Sequence, residues 1–314
     1  MTRRALLMFG LMSLIWGIPY MFIRIAVAEI SPATLVFART SIAALILLPI
    51  AFLRFDLRPV LERWRWVVAF AVVEVGLPWV LLGAAEQHVT SSLAGLLVAG
   101  VPLVGTVVAA TTGSRDHLGR SGLLGLVVGL VGVAAVVGSN VGVSDAAAFL
   151  EMALVVVGYA VGPAILARRL DGLSSVGVMA LSLSLCALVY APIAAVQRPA
   201  VVPSAGALAA IAILGVVCTA VAFVLFSALI AEIGPVRATV ITYINPAVAS
   251  VAGVLVLNES FTAGMAIGLG LVILGSTLAT RGAATRTTDA SSALGDGREL
   301  ETAAGGIGRS ELSG

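Results

Sequence analysis

The sequence has 314 residues, with no lysine, two cysteines, two histidines and 11% charged residues. Each scarcity excludes something. A soluble globular chain is about a quarter charged and about half apolar. This one is 60% hydrophobic with a mean hydropathy of +1.12, so its surplus apolar surface must face something other than water. Cys186 and Cys218 both lie inside apolar runs, which makes them packing residues and not a disulfide framework. The only histidines, His88 and His117, fall between apolar runs, and the sequence has no HExxH, no Cys/His cluster, no G-x-S-x-G and no phosphate-cradling P-loop. No cofactor, metal or nucleic acid is expected as a partner.

What fills the chain is apolar runs of helix-spanning length. A run of about 20 residues crosses a ~30 Å hydrocarbon core, and only helices or closed barrels satisfy their backbone there. The runs are too long for strands and lack two-residue alternation, which leaves helices. Ten spans are expected, near 5–27, 33–53, 66–86, 89–110, 121–139, 147–167, 174–196, 206–230, 235–257 and 262–280. The start, MTRRALLMFGLMSLIWG, has the basic and apolar regions of a signal peptide. No small-x-small cleavage site follows, so it reads as a retained first span. Residues 282–314 turn to Gly, Ala, Ser, Thr and scattered charge, a composition expected to form a disordered tail.

The arginines orient these spans. Arg3 and Arg4 precede span 1, and Arg54, Arg58, Arg63 and Arg65 follow span 2. Arg115 and Arg120, then Arg168 and Arg169, then Arg237 mark the later even links, whereas the odd links hold Arg198 beside Glu29, Glu86, Asp145 and Glu259. By the positive-inside rule both termini are cytoplasmic.

Sliding the chain along itself by about 143 residues aligns its halves. SPATLVFARTSIAALILLPIAF (31–52) lies over SSVGVMALSLSLCALVYAPIAA (174–195), and SSLAGLLVAGVPLV (91–104) over PVRATVITYINPAV (235–248), which pairs Pro102 with Pro246. Five spans per copy is an odd number, so the second copy enters the membrane in the opposite sense. The expected fold is an all-α polytopic membrane protein of ten transmembrane helices in two inverted five-helix repeats, residues 5–140 and 141–281. Inverted repeats are a recurring design of secondary transporters.

Polar residues inside the spans mark a candidate pathway. Glu74 sits about eight residues into span 3, roughly 12 Å deep at 1.5 Å per residue. It must face a cavity, pair or take up a proton. Two readings stand: a proton-coupling or amine-binding group, or a protonated carboxyl bonded to a neighbouring helix. Arg39, some six residues from the outer end of span 2, could snorkel to the surface; it serves either as an anchor to helix carbonyls or as a substrate contact. Trp16, Tyr20, Trp79 and Tyr159 are candidates for shaping a cavity, with packing as the commoner use of such aromatics. Trp64 and Trp66 are belt residues. In VITYINPAVAS (240–250), Pro246 removes the helical partner of the Thr242 carbonyl. That carbonyl, Tyr243 and above all Asn245 are the expected polar contacts for substrate. Arg39, Pro102 and Pro246 are assigned structural or gating roles. Glycines 125, 129 and 132 of span 5 and 264, 268 and 275 of span 10 suit close helix packing, within a monomer or in a homodimer.

Residues 215–262, with Gly215-x-x-x-Thr219, Tyr243-x-x-Pro246 and the acidic link Asn258-Glu259-Ser260, resemble the second repeat of EamA-type transporters of the drug/metabolite transporter superfamily. Trp16-Gly17 and Arg39 resemble its first repeat. One departure is the link TGSRDHLG (112–119), where the family usually has Gly-Glu. The resemblance implies a carrier in the inner (plasma) membrane that exports small metabolites such as amino acids or drugs, in a lipid bilayer and with proton coupling as an open option. The competing readings are a non-transporting membrane scaffold, a passive channel, and an intramembrane enzyme, for which the spans supply only one deep carboxylate.

Overall fold

The computed structural model describes residues 2–111, 120–138, 146–234 and 238–278. The expected tail at 282–314, the link 112–119 with Arg115 and His117, and Asp145 and Arg237 lie outside the described residues. Among those described there is helix and no strand. Seven helices are long and apolar enough to cross a membrane, and three further apolar helices are shorter.

In chain order, α1 is Arg3–Val27, α2 Pro32–Arg54 and α3 Trp64–Ala85. Helix α4 is formed by Ser91–Val98 continued by Val101–Thr111. Then come α5 at Arg120–Gly138, α6 at Ala146–Arg169, α7 at Ser175–Val196 and α8 at Ala205–Ile233. Helix α9 is a 3₁₀ turn, Thr239–Tyr243, followed by Asn245–Leu257, and α10 is Ala263–Leu278. Starts are set by local chemistry: Ser31, Thr90, Ser174 and Ser204 each cap a helix by accepting a hydrogen bond from the N–H three residues on.

Several helices break inside the apolar zone, and the sequence explains most of the breaks. Pro19 opens the second part of α1, because a proline tolerates the first turn of a helix where no N–H partner is needed. Pro102 and Pro246 likewise sit in the first turn of the second segments of α4 and α9. Pro163, by contrast, lies within an uninterrupted α6. Helix α3 widens into a π turn over Ala71–Gly76 just ahead of Pro78, and the Leu77 N–H reaches back five residues to Val72. Helix α7 answers the loosened ladder: the Tyr190 hydroxyl donates to the Gly76 carbonyl at 2.9 Å. Helix α8 has its own π turn, Val216–Val221, without a proline. There the Thr219 hydroxyl inserts into the ladder and donates to the Leu214 carbonyl at 2.7 Å.

Packing pairs the helices across the molecule. Helix α2 lies along α7, α4 against α9, α1 against α8, and α6 against α3. Helices α5 and α10 meet through glycine: a Cβ on Gly132 would lie 2.9 Å from the Gly268 carbonyl oxygen, and one on Gly275 would lie 2.6 Å from that of Gly125. The glycine faces expected to serve either a monomer or a dimer are thus used within the chain.

The ends of the helices are tied by polar contacts. Glu259 follows Asn258, whose left-handed conformation (φ 55°) ends α9. Its carboxylate accepts from the N–H groups of Ser91 (2.8 Å) and Ser92 (2.9 Å) and from the Ser92 hydroxyl (2.6 Å) at the start of α4. Glu29 does the same for α8, accepting from the Ser204 N–H and hydroxyl, both at 2.6 Å. At the opposite face Arg4 pairs with Glu232 at 3.7 Å, Arg63 donates to the carbonyls of Arg169 and Asp171, and Arg169 stacks 4.5 Å from the Trp66 ring. Trp64 and Trp66 are exposed, as belt residues are.

Candidate functional site

The expected site residues separate into two groups. The first gathers where α1, α2, α3, α6 and α8 meet. Arg39 is buried and turned inward, against the expectation that it snorkels or anchors to helix carbonyls. Its guanidinium lies 3.7 Å from the centre of the Trp79 ring, and its Nε donates to the Thr219 hydroxyl at 2.9 Å. The aromatic face and the hydroxyl, both supplied by distant parts of the chain, outcompete the water some 9 Å away by helix rise. Tyr20, Tyr159, Cys218 and Glu86 surround Arg39 closely enough to interact with its charge. Tyr20 and Trp79 are buried, and Tyr159 packs against both of the larger apolar clusters, joining them.

Glu74 belongs to the same region. It projects from the π turn of α3 toward α6, where Gly162 leaves room for its carboxyl group. Among the described residues its Oε2 is buried without a hydrogen-bond partner. It lies within electrostatic reach of Tyr159. The carboxyl is therefore held at a junction of helices, and among the described residues it makes no ion pair.

The second group sits at α1, α8 and α9. Trp16 packs on Phe226 (4.6 Å between ring centres) and edge-on to Phe223 (5.9 Å), so it fills an aromatic contact between α1 and α8. Asn245 stands at the break in α9. The amide orientation that satisfies both ends puts its nitrogen 3.2 Å from the Ser13 carbonyl and 2.9 Å from that of Ile241. That amide ties α9 to α1 and serves a carbonyl loosened by the break. Tyr243 directs its hydroxyl to the Ser276 carbonyl at 3.5 Å, and Thr242 also has a partner in the fold.

Two acidic residues change what the sequence led one to expect. Glu86, read as part of an exposed link, is fully buried, and neither carboxylate oxygen has a hydrogen-bond partner among the described residues. Arg24, which sequence reading passed over, donates instead to the Glu86 backbone carbonyl. Glu151 of α6 also has a buried, unpartnered Oε2. Glu86 is thus a fully buried acid beside the half-buried Glu74 and Glu151. Glu86 follows the last residue of α3, so only tertiary packing could reveal its burial. Thr219 entered the sequence reading only as part of the family resemblance and was given no site role, although it is the lone hydroxyl in the apolar run LGVVCTAVAFVLF.

Comparison with known proteins now decides the class. The model of the EamA-like transporter family matches twice, over residues 3–138 and 147–281. The chain belongs to the EamA-like transporter family. It is similar to the uncharacterized inner membrane transporter YedA of Escherichia coli strain K12, at 27% identity over 292 residues covering 89% of this chain and 92% of that one. The same figures hold for the protein of that name in Escherichia coli O157:H7. A solved crystal structure shares the fold with a TM-score of 0.64 at 20% identity, covering 89% of this chain and 98% of the other. The EamA-like chain is a multi-pass inner-membrane protein and a membrane transporter, and its family points away from an enzyme.

Proposed function

We propose that this EamA-like protein is a secondary carrier of small metabolites (amino acids, related metabolites or drugs) that exports them by alternating access. All ten helices cross the membrane as two inverted five-helix repeats, residues 5–140 and 141–281, with both termini cytoplasmic. The double family match supports that division. So do the two π turns, in α3 and α8, and the paired proline breaks in α4 and α9. Arginines at one face and the helix-capping Glu29 and Glu259 at the other support the orientation.

The observation that carries the reading is the cluster of buried Tyr20, Arg39, Trp79 and Thr219 with half-buried Glu74 and Tyr159, contributed by both halves of the chain. Polar groups at such depth are costly unless a pathway uses them. Tyr20, Trp79 and Tyr159 shape the pathway, Glu74 binds an amine or couples protons, and Trp16, Thr242, Tyr243 and Asn245 line the moving break between α9 and α1. Pro102 and Pro246 let α4 and α9 bend.

Counterflow of labelled metabolites in proteoliposomes tests this. The carrier exchanges internal for external substrate, whereas a scaffold gives no exchange. Glu74→Gln and Asn245→Ala are each expected to lower the exchange rate at least tenfold. Unchanged rates in both variants would sink the site assignment.

A further inference from the structure

The guanidinium of Arg39 presents five N–H donors in a rigid fork. Only its Nε–H is used: among the described residues it makes one hydrogen bond, to Thr219, and no carboxylate lies within ion-pair distance. Thr219 is itself fixed, because its hydroxyl donates to the Leu214 carbonyl through the π turn of α8 while accepting from Arg39. Trp79 covers one face of the fork at 3.7 Å. The group is therefore held at its Nε edge and on one face, and its two terminal nitrogens carry four N–H donors that take no hydrogen-bond partner among the described residues.

Such an arrangement is poor as a structural device. A buried cation without a counter-charge is a large desolvation cost, and evolution ordinarily meets it with a carboxylate. Two orienting contacts on a charge left unneutralised are what a preorganised receptor for an anion requires. The free edge of the fork matches a carboxylate in two parallel hydrogen bonds. The surrounding Tyr20 and Tyr159 carry hydroxyls, not full charges, and Glu86 lies within reach of the charge but not in ion-pair contact.

We infer that Arg39 is the substrate-reading residue of the pathway, and that the carrier's substrates bear a carboxylate which docks on its terminal nitrogens. This rests on the carrier reading above and narrows it: cationic drugs and uncharged sugars are excluded as principal substrates. Trp79 and Thr219 are positioning residues, since each acts by orienting the fork.

The test uses the full-length protein in proteoliposomes and matched probe pairs: proteinogenic L-amino acids and 2-oxo acids, each beside its carboxamide. Labelled carboxylates are expected to exchange in counterflow, with each amide competing at least tenfold more weakly. Arg39→Gln is expected to reduce that discrimination to less than twofold. Arg39→Lys, which keeps the charge but loses the fork, should retain the preference for the carboxylate with a raised KM. A purely structural Arg39 would lower the amount of folded protein in the variants and leave the carboxylate-to-amide ratio where it was. Exchange of amides or amines as good as that of the acids, in the wild-type protein alone, would overturn the proposal and leave the carrier standing. Preserved discrimination in Arg39→Gln would also overturn it. Absence of exchange with every probe, from protein that remains monodisperse, would remove the carrier reading itself. Should Arg39→Gln fail to fold, the wild-type ratio and Arg39→Lys still decide the question.

Discussion

At the scale of single residues, the side chains with the most to lose are those facing glycine on α6. A Cβ on Gly158 would lie 2.6 Å from the Val73 carbonyl oxygen and 2.7 Å from Cγ of Pro78, and neither backbone nor ring can yield cheaply. A Cβ on Gly162 would meet the Glu74 side chain at both its ends: the carboxyl can swing aside, but the Glu74 Cβ, 2.8 Å away, moves only with the backbone of α3. Gly158→Ala should therefore lower stability by roughly 1–3 kcal/mol, the usual cost of overpacking. Gly162→Ala should cost a comparable amount and, unlike Gly158→Ala, displace the Glu74 carboxyl directly and so depress transport beyond what the lost stability explains. Thermal melts in detergent set beside counterflow rates check this split, and a Gly162→Ala protein that transports normally would detach Glu74 from the pathway. The depth of Glu74 was legible in the sequence, since one acid in an apolar run must face a cavity, pair or take up a proton, while its place in the pathway is part of the proposal. Arg39 was visible too, but not its direction. Whether it rises to water or turns inward depends on Trp79 and Thr219, which are 40 and 180 residues away along the chain. Glu86 was hidden for a related reason: the residue after a helix end looks solvated until the neighbouring helices are in place.

At the scale of elements, hydropathy alone located the helices to within a few residues, because helix length and apolar content follow from the solvent a helix faces. Among the described residues seven of them are long enough to cross a membrane and three are shorter. Prolines announced the breaks in α1, α4 and α9. The π turn of α8 could not be read, as it depends on Thr219 choosing its own Leu214 carbonyl over other partners. That turn and the one in α3 act together: one orients Thr219 and the other precedes Trp79, so the two wide turns aim both contacts at Arg39. The carboxylate caps on α4 and α8 were also illegible, being contacts between distant links. Their chemistry gives a pH dependence. Two hydrogen bonds from Ser204 hold the Glu29 carboxyl below the usual carboxylate range. A lowered folded value means that the clamp is fully present above the unfolded value of about 4.3 and weakens as pH falls through the folded one. Acid titration of the melting temperature should show this loss below about pH 4.3 in the wild type. Glu29→Gln should flatten that limb, and an unchanged limb would mean that Glu29 contributes no proton-linked stability.

At the scale of the whole molecule, the two faces are tied by different chemistry. On the arginine-rich face the ties are Arg4 to Glu232 and Arg63 to the carbonyls of Arg169 and Asp171. On the opposite face Glu29 and Glu259 grip the N-termini of α8 and α4, and each of these contacts joins one half of the chain to the other. In the alternating-access cycle proposed above, rocking of one repeat against the other leaves a central site closed to that face while both carboxylate ties hold. On that proposal the ties open and close once in every transport cycle. Helix N-termini suit this use, because their N–H groups can exchange a carboxylate for water at modest cost, unlike a packed apolar contact. A covalent tie at the same place should then stop the cycle. With Glu29→Cys and Ser204→Cys joined by a short bismaleimide, counterflow should fall at least tenfold, while either single variant treated alike keeps its rate. Cys186 and Cys218 are buried, so the reagent acts at the engineered pair. The linked protein should still bind carboxylates from the arginine-rich side, read as a thermal shift, because Arg39 and its two supports lie below the tie. Transport that continues in the fully linked protein would mean that the two halves do not separate at this face, and that the substrate path runs elsewhere.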